Sequence, residues 1–66
     1  MATRNVEEYP TEARRKEIFQ ALVDVQDTGS MTVPQSRKVI AERFGVTEGV
    51  IREIEHEGLD QQWPPL

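Results

Sequence analysis

The sequence predicts an all-α fold: a small three-helix domain with a helix-turn-helix in its C-terminal half and a short Trp-Pro-Pro tail. Three observations predict it. Apolar residues recur at helical spacing in three separate stretches, and no stretch alternates as a strand would. Each stretch opens on a threonine suited to capping, at Thr11, Thr32 and Thr47. The stretches are separated by Asp27-Thr28-Gly29-Ser30 and by Gly45-Val46, which punctuate helices.

The first helix is expected from about Thr11 to Asp27. Ile18, Ala21, Leu22 and Val25 share one face, widened by Phe19 and Val23. The second runs from about Pro34 to Phe44, opened by Thr32-Val33-Pro34-Gln35, which has the form of a capping box with proline in the first turn. The third runs from about Glu48 to Glu57 and is expected to stop at Gly58. Residues 1–10 read as a flexible arm, 11–59 as the helical domain with the helix-turn-helix over 34–58, and 60–66 as a tail.

The segment Arg37 to His56 carries the most information. Ile40 and Phe44 lie four apart on one helix face, and Ala41 is small where a second helix must come close. Gly45 suits a left-handed helix stop, Val46 plugs the turn, and Ile51 and Ile54 return the next helix to the same core. These spacings together fit two helices crossing through a short turn.

Composition bounds the function. Sixty-six residues make one small domain, which buries only ~60% of its unfolded surface. There is no cysteine, so no disulfide or thiolate metal site staples it, which suits a cytoplasmic location. No apolar run is long enough for a membrane span, and residues 1–10 lack a signal core. A lone histidine, His56, flanked by Glu55 and Glu57 on diverging sides of a helix, does not make a metal site. With no phosphate loop and no nucleophile spaced to a base, no catalytic residues, cofactor or metal is expected, and the chain does not read as an enzyme.

The segment Ile40-Ala41-Glu42-Arg43-Phe44-Gly45-Val46-Thr47, followed by Ile51-Arg52-Glu53-Ile54-Glu55 and Leu59, resembles region 4 of bacterial primary sigma factors. The resemblance covers residues 40–59. It implies a helix-turn-helix that reads the promoter −35 element and touches RNA polymerase and activators. The chain departs from the family's run at Glu48, Gly49 and Val50, where Arg-Glu-Arg is usual, and at Glu53, where glutamine is usual. The scaffold positions are kept and most base-reading positions are not.

In a helix-turn-helix the outward residues near the start of the last helix meet base edges. Here these are Thr47, Glu48, Gly49, Arg52, Glu53 and His56. Arg52 can read guanine and Glu53 can accept from a cytosine amino group. Alternatively, Arg52 simply pairs with Glu48 and Glu55 on a solvated helix. Arg37, Lys38 and Arg43 are the expected phosphate contacts if DNA is bound. Arg14, Arg15 and Lys16 read as solvated, although cations in a first helical turn oppose the dipole and hint at an acidic partner.

The net charge is −4, and it sits entirely in residues 44–66, where Arg52 faces Glu48, Glu53, Glu55, Glu57 and Asp60. This opposes nucleic-acid binding, which favours a basic footprint. Two functions therefore compete. The first is a DNA-binding module of transcription-regulator type, acting as a homodimer or within a larger assembly. The second is a protein-interaction module, or accessory subunit of a bacterial complex such as RNA polymerase. It would meet its partner through Glu48, Glu53, Trp63 and Leu66. Trp63 either closes the core beside Leu59 or stands out as an anchor on an extended Pro-Pro segment.

Overall fold

The structure, a computed structural model, describes residues 9–66. Apart from Tyr9 and Pro10, the arm expected over residues 1–10 lies outside the described residues. Three helices follow in order: α1 (Glu12–Thr28), α2 (Val33–Phe44) and α3 (Glu48–Gln61), with no strand among the described residues. Each packs on the other two.

All three start on the expected threonine. Thr11 Oγ1 accepts from the Arg14 backbone N–H at 3.2 Å, and Thr47 Oγ1 accepts from that of Val50 at 3.1 Å. At α2 the capping box is complete: Thr32 Oγ1 accepts from the Gln35 N–H, and Gln35 Oε1 accepts from the Thr32 N–H. Gly45 ends α2 with φ +70°, a left-handed conformation that glycine adopts without a Cβ penalty. Gly45, Val46 and Thr47 alone separate α2 from α3, and the arrangement is compatible with a helix-turn-helix.

The core is formed by Ile18, Phe19 and Leu22 of α1, Ile40 and Ala41 of α2, Ile51 and Ile54 of α3, and Trp63. Ser36 is buried among them with its hydroxyl satisfied, donating to the Val33 carbonyl at 2.6 Å and accepting from Gln26 Nε2 at 3.1 Å. Phe44 is only partly buried, packed at the margin of this cluster with the Arg14 guanidinium 4.8 Å from its ring centroid.

The expected stop of the third helix at Gly58 is a correction. The helix continues to Gln61 and ends where Gln62 turns left-handed at φ 55°. Gly58 is buried inside the helix, facing the Phe19 ring, where a Cβ would overlap the ring carbons. Its role is close helix approach, not termination. The extra turn has a consequence downstream. The Trp63 N–H donates to the Gly58 carbonyl at 2.9 Å, and the indole folds back edge-to-face on Phe19, centroids 6.0 Å apart.

Candidate functional site

Helix periodicity puts Gly49, Arg52, Glu53 and His56 on one side of α3, and these four residues line a shallow open depression there. Arg52, Glu53 and His56 are exposed, and Gly49 is half-buried. Position 49 contributes no side chain to it. Thr47 and Glu48 are exposed at the start of the same helix, with the Thr47 oxygen already accepting the capping bond. The sequence-predicted contact residues are thus brought together on one face.

The acidic residues of α3 divide by direction. Glu57 faces α1, where its carboxylate takes two bonds from Arg15, Nε to Oε1 at 2.8 Å and Nη2 to Oε2 at 3.0 Å. Arg15 also donates from Nη1 to the Pro10 carbonyl at 2.8 Å, which fixes the lead-in to α1. The Glu57 hydrogen bond raises the Arg15 pKa above its ordinary value. Glu55 faces α2, where Oε1 lies 3.0 Å from both Nε and Nη2 of Arg37, and Gln26 Nε2 reaches its Oε2 at 3.5 Å. Two of the five acids in residues 44–66 are therefore neutralised by cations of the other two helices. Glu48, Glu53 and Asp60 remain exposed.

This geometry redistributes the expected cations. Arg37, expected to touch phosphate, is held onto Glu55 instead, because Glu55 lies on the inner side of α3 within its reach. Lys38 and Arg43 are exposed and make no ion pair among the described residues. Arg52 pairs with neither Glu48 nor Glu55, so the solvated-pair alternative is not what the side chains do. The Arg14–Lys16 cluster does meet acids, but on its own chain: Arg14 pairs with Glu17 at 2.8 Å, Arg15 with Glu57, and Lys16 with Glu12 at 3.6 Å.

The expected partner contacts Trp63 and Leu66 separate. Trp63 is 6% exposed and belongs to the core, which corrects its reading as a partner anchor, while Leu66 is 60% exposed. Leu59, expected beside Trp63, points outward at 56% exposure. A second depression is lined by Met31, just before α2, and by Gln35, Lys38 and Val39 of α2. Among the described residues no group of acids and histidine is placed to hold a metal ion, and no helix is long and apolar enough to cross a membrane.

Tyr9 is not among the site residues expected from the sequence. Its ring lies on the Arg15 guanidinium at 5.1 Å, and its hydroxyl pKa is raised by burial and by the negative charges of Glu53 and Glu57, against an opposing effect of Arg15. Tyr9 therefore sits near the α3 side that carries Glu53. The Arg15 beneath it is bonded to Glu57, 42 residues away, a contact that no local pattern encodes.

Comparison with protein-family models, with curated proteins and with solved structures finds no match for this chain.

Proposed function

We propose that this chain is a DNA-binding module of transcription-regulator type, similar in scaffold to region 4 of bacterial primary sigma factors, with α3 as the helix that enters the major groove. The observation that carries the reading is the division of charge on α3. Glu55 and Glu57, which counted against DNA in the sequence, are consumed by Arg37 and Arg15, while Arg52, which makes no ion pair among the described residues, stands on the open face with Glu53 and His56.

In this reading Arg52 donates to guanine and Glu53 accepts from a cytosine amino group, each worth about 1–3 kcal/mol of discrimination when well placed. Thr47, whose hydroxyl still has a proton to donate, meets a phosphate beside the helix start. Glu48 and His56 flank these contacts. Lys38 and Arg43 supply phosphate neutralisation. Two such cations give weak affinity to a monomer, so the module acts as a dimer or within a larger cytoplasmic assembly such as RNA polymerase.

The competing reading is a protein-interaction module that presents Glu48, Glu53 and Leu66 to a basic partner, and exposed Leu66 favours it. The double variant Glu48→Gln with Glu53→Gln separates the two. Removing repulsion raises non-specific affinity for random duplex DNA if α3 enters the groove. It slows association with a basic protein partner at low salt if α3 meets protein. An unchanged duplex affinity contradicts the DNA reading.

A further inference from the structure

A glycine inside a helix weakens it, by roughly 1 kcal/mol relative to alanine in the interior. Such a residue ordinarily has a structural reason. At Gly58 the reason is the Phe19 ring. Gly49, in the first turn of α3, has none. Its backbone is helical, and among the described residues a Cβ built there meets nothing closer than Thr47 Oγ1 at 3.7 Å, an ordinary contact. The fold leaves room for a side chain at position 49 and does not fill it. The room opens onto the depression bounded by Arg52, Glu53 and His56, the side chains already assigned to the contact face.

We propose that Gly49 is a clearance position. Its missing side chain lets the α3 backbone approach duplex DNA more closely than an alanine would permit, and so sets the depth at which Arg52 and Glu53 reach base edges. The inference rests on the DNA reading above and adds a residue that contributes by having no side chain. Three cations that make no ion pair among the described residues, Arg52 on this face and Lys38 and Arg43 on α2, argue for DNA as the occupant. The depth matters because bidentate base contacts tolerate little displacement, and an added methyl at a close backbone approach pushes the whole helix outward.

The test is Gly49→Ala in the full chain, read by thermal melting and by titration at low salt with the duplex sequence that the parent enriches from a random pool. Stability and binding must move in opposite directions. The melting temperature rises by about 2–5 °C, because the helix gains propensity at no steric cost. Affinity for that enriched duplex falls by about tenfold, equivalent to ~1.4 kcal/mol. Since the variant is more stable than the parent, lost binding cannot be lost folding. A variant that melts higher and binds DNA as well as the parent overturns the clearance role while leaving the DNA reading intact. One that melts lower overturns the claim that the fold has no use for this glycine. If the parent itself binds no duplex at low salt, the DNA reading fails, and the clearance role with it.

Discussion

Gly58 of α3 lies against the ring of Phe19 of α1 so closely that a Cβ on the glycine would sit inside the van der Waals envelope of the ring. Both residues are buried, and Trp63 packs edge-to-face with the same ring. The α1–α3 spacing is therefore set by an absent side chain. Gly58→Ala gains helix propensity of up to ~1 kcal/mol but forces an overpacked core, which costs about 1–3 kcal/mol and more where the opposing group is a rigid ring. The variant is expected to melt below the parent in a thermal scan followed by far-ultraviolet circular dichroism. Equal or higher stability would mean that α1 and α3 are not in this contact.

Trp63 offers a second measurement. Its indole is in the core, so Trp63→Ala removes a large buried aromatic and is expected to cost ~3–5 kcal/mol, enough to unfold a domain of this size. Phe44→Ala is expected to cost less than Phe19→Ala, because Phe44 is only partly buried and Phe19 is fully buried. As the chain's single tryptophan, Trp63 also reports folding directly by its fluorescence. Solvent-exposed emission in the native chain, or a Phe44 variant less stable than the Phe19 variant, would contradict this packing.

The pH dependence follows from Tyr9. Burial first, then the charges of Glu53 and Glu57, hold its phenol above the ordinary value, and Arg15 opposes them. The unfolded chain thus releases this proton before the folded chain does. Tyr9 consequently makes a contribution to stability that is present below its unfolded pKa and is lost as pH rises through the folded pKa. As the chain's only tyrosine, it can be followed by tyrosinate absorbance. Its midpoint is expected above that of a free tyrosine, moving down in Glu53→Gln. A midpoint indifferent to Glu53 would place Tyr9 away from the α3 face.

The sequence was most legible where structure is local. Thr11, Thr32 and Thr47 each cap the helix expected of them, and Gly45 ends α2 in the left-handed conformation. These signals act over three or four residues and need no partner. What escaped depends on contacts across the chain. Gly58 resembles a stop until Phe19 is placed beside it, and the helix then runs to Gln61. The charge map was incomplete for the same reason. Glu55 and Glu57 count as an acidic run along the sequence, yet Arg37 and Arg15 neutralise them in three dimensions. An isolated glycine followed by Leu59, Gln61 and Gln62, which suit a helix, was the available signal for the longer helix. Nothing local announced the ion pairs.

The central claim is that the open face of α3 contacts DNA. It is tested most directly by selecting sequences from a random duplex pool with the parent, with Arg52→Ala, and with Lys38→Ala plus Arg43→Ala, at two salt concentrations. The account predicts that the parent binds at low salt and enriches a sequence. Arg52→Ala should change or abolish that preference, and the double variant should weaken binding to all sequences while flattening the salt dependence. Absence of duplex binding by the parent at low salt, or an Arg52→Ala variant with the parent's sequence preference, would contradict it.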